Sequence, residues 1–252
     1  LLEGKIDGFA SAGSTGAMMV GCMYTVKQIE GVIRPTISAL FPTIDGSEAL
    51  LLDVGLNVDC KPDVLYQYGI IGSTYAKSVM GKANPRVALL NIGAEESKGL
   101  ELQKQTYALL TEAKDAGLVN FVGNVEARDV PLGAVDVVVC DGFSGNVLLK
   151  SIEGTAMFMG SLVKRMFKKN VFTMLGALLC KSGLKNMMSM LDYREIGGTP
   201  FLGIRKPVIK AHGSSDALAF RNAIAQAVNA AKNDISADLE QMLAAVKEQS
   251  ND

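Results

Sequence analysis

Five apolar runs in this chain end in glycines and small polar residues, and these turns carry the side chains able to do chemistry. In Asp141-Gly142-Phe143-Ser144-Gly145-Asn146 the two glycines let backbone approach a ligand, and the Asn146 amide can donate to a developing oxyanion. The same residues would also serve as an Asx-type cap on the next helix. Glu95-Glu96-Ser97-Lys98-Gly99 puts a lysine at a helix start, where the helix dipole disfavours a cation. Such a lysine faces either a bound anion or solvent. Ser11, Gly13, Ser14, Thr15 and Gly16 offer hydroxyls and unhindered N–H groups at another helix start, which suits a phosphate or a tight capped turn. Asp53 and Asn57 stand at a strand end, to bind a ligand or to fix the turn. His212, the chain's one histidine, closes the last apolar run with Gly213 and Ser214. No serine sits in a G-x-S-x-G elbow, which argues against a covalent serine hydrolase.

To position these groups the chain needs strand–turn–helix units. The periodicity predicts strands over 6–10, 37–41, 49–54, 86–92, 118–122, 135–140 and 207–211. It predicts helices over 14–27, 62–80, 97–115, from about 145, 215–232 and 236–248, with Ser236 capping the last and Leu1–Gly4 as the tail of an earlier one. The expected fold class is α/β: a three-layer, mostly parallel sheet whose glycine-rich turns gather at one edge around an anion-binding cleft.

Length and balance narrow the class. At 252 residues and 48% hydrophobic content the chain reads as one α/β catalytic domain over 1–252. With 25 basic and 26 acidic residues and scattered aromatics, nothing points to nucleic acid. Four isolated cysteines and one histidine make a structural zinc site unexpected, and the cysteines suit a core kept reduced in the cytoplasm. The chain opens LLEGKIDGF without a methionine, so it reads as lacking its N-terminal part. An apolar sheet edge exposed by that loss would make the isolated fragment aggregate or lose activity.

Residues 154–198 break the alternation. Between Glu153 and Asp192 there is no acidic residue, whereas Lys164, Arg165, Lys168, Lys169, Lys181 and Lys185 all fall there, with seven of the twelve methionines. Val171, Met174, Leu175, Leu178 and Leu179 keep helical spacing, as do Leu184, Met187, Met188 and Leu191. This is a helical excursion, basic on one side and apolar on the other.

Taken together and in order, SAGSTGA, LLDVGLNVDCKP, LLNIGAEESKG, VCDGFSGNVLLKSIEG, DYREIGG and AHGSSDA resemble the bacterial phosphate acyltransferase family of phospholipid synthesis (PlsX) over almost the whole chain. That family begins with a strand and a GGD-containing turn upstream of the residue corresponding to Leu1. One departure is Ser14 in AGSTG, where the family more often has asparagine. The resemblance implies a fold like that of phosphotransacetylases and isopropylmalate dehydrogenases. It implies transfer of a long acyl chain from acyl carrier protein (ACP) to inorganic phosphate, without metal or nucleotide. Homodimers on the cytoplasmic face of the inner membrane are implied as well, passing acyl phosphate to a glycerol-3-phosphate acyltransferase. The 154–198 excursion then suits contact with a second copy, an anionic membrane or acidic ACP. By motif match Lys98 and Asn146 are the catalytic positions. Ser11, Gly13, Ser14, Thr15, Gly16, Asp53, Asn57, Asp141, Gly142, Ser144, Gly145, His212, Gly213 and Ser214 would then line the substrate or phosphate. The chemistry agrees, because phosphate already supplies an anionic oxygen at neutral pH and needs no strong base.

Three other readings compete. A coenzyme A-dependent phosphotransacetylase would have no use for the basic, methionine-rich excursion. A metal-dependent decarboxylating dehydrogenase needs clustered aspartates, which are not found here. A non-catalytic scaffold that recruits ACP would not need Lys98 and Asn146.

Overall fold

The computed structural model describes residues 1–190 and 197–249. An eight-stranded sheet runs through it in the order β1-β8-β7-β2-β3-β6-β4-β5. The strands are β1 (Phe9–Ser11), β2 (Thr36–Pro42), β3 (Glu48–Leu52), β4 (Arg86–Asn91), β5 (Asn120–Glu126), β6 (Val137–Val139), β7 (Gly198–Leu202) and β8 (Val208–Ala211). The helices are α1 (Thr15–Gly21), α2 (Pro62–Ser78), α3 (Glu101–Asp115), α4 (Gly142–Phe167), α5 (Val171–Leu179), α6 (Lys181–Met190), α7 (Ala217–Lys232) and α8 (Ile235–Gln249). Cys22–Val26 adds a π-helical turn to α1, and Val130–Leu132 is a single 3-10 turn.

β6 is the sheet's buried centre. Val137, Val138 and Val139 are each 0% exposed, as a parallel strand covered on both faces requires. Successive residues of β3 and β6 alternate between two cores. Leu50, Leu52, Val137 and Val139 pack with Tyr68 and Ile71 of α2, Leu110 of α3 and Leu239 of α8. Leu51 and Val138 join the other core, with Leu148 of α4, Cys22 and the α1 methionines. The result is helix, sheet, helix, as expected for the fold class. Pro62 occupies the first turn of α2, where its missing N–H leaves no bond unmade.

Four strand pairs are parallel (β1–β8, β3–β6, β4–β6, β4–β5) and three antiparallel (β2–β3, β2–β7, β7–β8). Those three successive reversals turn β8, and β1 with it, against β3, β6 and β4. The expectation of one shared edge is therefore corrected: the Ser11 and His212 turns leave the opposite end of the sheet from the Asp53, Lys98 and Asp141 turns.

Local boundaries also differ. Leu1–Gly4 forms a turn, closed by the Gly4 N–H on the Leu1 carbonyl at 3.1 Å, and β1 starts at Phe9. β7 has no counterpart among the expected strands, because Gly198 and Pro200 hide its period. Ser236 lies inside α8 and donates to the Ile204 carbonyl (3.4 Å) instead of capping. The excursion is the far half of α4 followed by α5 and α6, while Leu191 and the DYREI part of its motif lie outside the described residues.

Candidate active site

The carboxyl ends of β3 and β6 are tied together. The Cys140 N–H donates to the Leu52 carbonyl (2.8 Å) and the Asp53 N–H to the Cys140 carbonyl (2.9 Å). Asp53 is fully buried and turns its carboxylate into its own loop. It accepts from the N–H groups of Gly55 (2.8 Å), Leu56 (2.7 Å) and Asn57 (3.2 Å) and from the Asn57 amide (2.8 Å). Burial pushes this carboxyl up, against the pull of those donors. The Asn57 amide also reaches the Pro35 carbonyl at 2.8 Å. Both side chains thus fix the turn.

The 53–57 loop then seats the start of α4. The Gly142 N–H donates to the Asn57 carbonyl at 2.7 Å, and a Cβ on Gly142 would stand 2.8 Å from that oxygen. Gly145 presses on the Asp53 carbonyl and the Cys140 sulfur. Asp141 caps the helix, accepting from the Ser144 N–H and hydroxyl, each at 2.8 Å. With Asp141 and Ser144 occupied by each other, the exposed Asn146 is the polar side chain left over. Its Cγ lies 3.4 Å from where a Cβ on Gly55 would be, and Gly55 has φ +123°.

β4 adjoins β6 on the other side, so its turn opens at the same end of the sheet. α3 starts at Glu101, which leaves Lys98 in the turn ahead of the helix rather than at its first residue. Asn91 holds this turn from within, donating to the Lys98 carbonyl (3.1 Å), and Asn124 donates to the Glu95 carbonyl (2.9 Å). The Lys98 side chain is about half exposed, and its ammonium is 3.9 Å from Glu95. At that distance and exposure the pair is loose, and the ammonium is open to a stronger anion.

The second group sits at the ends of β1 and β8. The Ser11 hydroxyl accepts from the Gly13 N–H (3.2 Å), and Ser14 caps α1 by accepting from Ala17 (3.3 Å). Thr15 and Gly16 open α1 behind that cap. The Ser214 N–H donates to His212 Nδ1 (3.2 Å), and the Ser214 hydroxyl is 2.7 Å from the same atom. With Nδ1 engaged by Ser214, Nε2 is the ring nitrogen left to meet a ligand. Gly213 is exposed in the same turn. α4 links the two groups. It leaves β6 beside Asn146 and packs Leu148, Leu149 and Ile152 into the core that holds Val208 of β8 and Met18 and Met19 of α1.

No cysteine is poised as a nucleophile here. Burial pushes the Cys60 thiol up to about 12 and Cys140 well above its ordinary value. Cys180, by contrast with the expected core role, is exposed at the end of α5. Among the described residues no three His, Cys, Asp or Glu side chains cluster as metal ligands. Lys150 and Lys210 belong to no candidate group in the sequence; Lys210 stands out as a lysine inside the apolar run Val208–Ala211.

Residues 1–238 match the family described as "Fatty acid synthesis protein". A phosphate acyltransferase of Thermoanaerobacterium thermosaccharolyticum is 49% identical over 235 residues, 93% of this chain and 69% of that one. One from Brevibacillus brevis is 47% identical over 241 residues, 96% and 71% of the two chains. Among solved structures, a phosphotransacetylase from Streptococcus pyogenes superposes with a TM-score of 0.59 at 17% identity, covering 92% of this chain and 64% of that one. The EutD phosphotransacetylase from Staphylococcus aureus gives 0.56 at 14%, covering 94% and 64%. These two similarities concern the fold alone.

Proposed function

The chain belongs to the fatty acid synthesis protein family, and from that membership we propose that it moves a long-chain fatty acyl group from acyl-ACP to inorganic phosphate, giving acyl phosphate for phospholipid synthesis. It is an acyltransferase whose acceptor is phosphate. One observation supports the finer reading: the 53–57 loop locks under α4 and leaves Asn146 exposed at the same end of the sheet as the β4 turn that bears Lys98.

In this mechanism a phosphate oxygen attacks the thioester carbonyl carbon. A C–O bond forms and the carbonyl oxygen takes negative charge. Asn146 donates to that oxyanion, while Lys98 draws phosphate in and offsets its charge. Collapse breaks the C–S bond, and the thiolate of the carrier's arm leaves and takes a proton from solvent. The turns at Ser11–Gly16 and His212–Ser214, at the other end of the sheet, contribute donors to parts of the substrate away from the reacting carbonyl. One α/β catalytic domain, without cofactor, performs the reaction.

The arm of α4, α5 and α6 is assigned to assembly. No residue of α5 is buried, and Phe172 and Leu179 are 86% and 83% exposed. Met157 and Phe158 are bare on α4. We assign the α4 face to a second copy, and α5 with the neighbouring lysines to the anionic inner face of the cytoplasmic membrane. The downstream glycerol-3-phosphate acyltransferase would take the acyl phosphate there. No helix among the described residues is long and apolar enough to cross a membrane.

The test is to incubate palmitoyl-ACP with and without inorganic phosphate, follow free thiol and trap acyl phosphate with hydroxylamine. Phosphate-dependent thiol release with matching hydroxamate, lost in Lys98→Ala, is expected. Turnover of acyl-coenzyme A in place of acyl-ACP would reject the carrier-protein reading. Silence with both donors would leave a scaffold.

A further inference from the structure

Lys150 of α4 and Lys210 of β8 lie on the same side of the sheet, near enough for the charge of one to act on the other. Ile209 and Ala211 fill the core under α7, so the alternation of a strand puts Lys210 on the opposite face with Val208, beneath α1 and α4. Lys210 is half-buried there. Lys150 follows Asn146 by one helical turn, on the same side of α4. Burial, and then the charge of Lys150, hold the Lys210 ammonium below the usual lysine range. Lys150 has Glu153 at 2.6 Å, but among the described residues no carboxylate pairs with Lys210. Two cations near one another, one of them half-buried and with no paired carboxylate among the described residues, are unfavourable until an anion joins them. Ser11 stands level with Lys210 in the β1–β8 register, and His212 follows two residues on.

We propose that Lys210 and Lys150 form an anion subsite, on the line of α4 that begins at Asn146, which takes a phosphate group during the reaction. Its occupant is either inorganic phosphate, held before it reaches Lys98, or the phosphodiester that joins the pantetheine arm to ACP; both present anionic phosphate oxygens. The inference rests on the acyl-transfer reading, and it assigns the two lysines a binding role.

The test compares wild type with Lys210→Met, which keeps the stem and removes the charge, and with Lys210→Arg. KM is measured separately for inorganic phosphate, for palmitoyl-ACP and for palmitoyl-pantetheine, which lacks the phosphodiester. Binding of inorganic phosphate alone is followed by calorimetry. A rise of about tenfold or more in KM for inorganic phosphate, with weaker binding in the calorimeter and recovery in Lys210→Arg, supports the subsite as the phosphate's own. The same rise for palmitoyl-ACP but not palmitoyl-pantetheine supports it as the site of the carrier's phosphodiester. If all three KM values stay within twofold of wild type in a folded variant, the proposal is overturned. Should Lys210→Met not fold, Lys150→Met at the exposed partner decides by the same criteria. Should wild type show no turnover, the acyl-transfer reading fails on its own, and calorimetry alone decides: weaker phosphate binding in the variant supports the subsite, and equal binding overturns it.

Discussion

Gly145 and Asp53 touch backbone to backbone: a Cβ on Gly145 would overlap the Asp53 carbonyl oxygen and stand 2.6 Å from the Cys140 sulfur. This contact sets the distance between the 53–57 loop and the first turn of α4, and with it the placement of Asn146. Gly145→Ala is expected to lower stability by about 1–3 kcal/mol through overpacking, and to cost activity beyond that. Gly154→Ala, later in the same helix where nothing lies within 4 Å, is the control and should add roughly 0.5–1 kcal/mol. Urea titration with kcat/KM separates the two. Equal behaviour of both variants would disconnect Gly145 from the site.

Asn146 is exposed and bears no share of the core, so its removal should be read in rate rather than stability. Asn146→Ala is expected to lose on the order of 10²–10³ in kcat, the usual cost of one oxyanion donor, with the melting temperature held. Asn146→Asp should be at least as slow, since it sets a carboxylate against a developing negative charge. A kcat within threefold of wild type in either variant would remove Asn146 from the mechanism.

Asp136 offers a pH test at the other end of the sheet. Burial pushes its carboxyl up, but hydrogen bonds from the Arg86 side chain and N–H and from Lys82 outweigh this and hold it below the usual carboxylate range. A depressed folded pKa means stability that is fully present above the unfolded value of about 3.9 and is lost as pH falls through the folded value. Asp136→Asn should therefore be less stable than wild type at pH near 7, and the gap should close on acidification toward about pH 3. Urea midpoints measured across that range check the slope; a gap that stays constant with pH would contradict it.

Much of this is visible in the sequence for a physical reason. A strand buried on both faces must be continuously apolar, and a turn that admits a helix start so close must be glycine, so Val137–Gly145 announces itself. Strand direction is less visible. The reversal of β8 and β1 is set by β7, whose Gly198 and Pro200 carry no strand pattern. Asp53 reads equally well as ligand or turn former, and its complete burial is visible only in the folded chain. Lys210 is the reverse case: one charged residue in a buried strand is a local inconsistency that is visible without coordinates.

The arm joins greasy and basic surface, and the two halves of its assignment can be told apart. Phe172 and Leu179 on α5 are among the most exposed large side chains, and Lys168, Lys169 and Lys181 flank that helix. If α5 lies in a lipid surface, binding needs both the apolar contact and the charge. Each lysine near an anionic surface contributes about 1 kcal/mol, and that share is screened over roughly 8–10 Å as salt rises. Wild type should co-sediment with vesicles containing phosphatidylglycerol, bind neutral phosphatidylcholine vesicles weakly, and release progressively from about 0.1 to 1 M salt. Phe172→Asp should abolish this binding and leave the mass measured by light scattering unchanged. Met157→Asp with Phe158→Asp, on the α4 face, should do the opposite and halve the mass. A halved mass in Phe172→Asp, with vesicle binding intact, would exchange the two assignments.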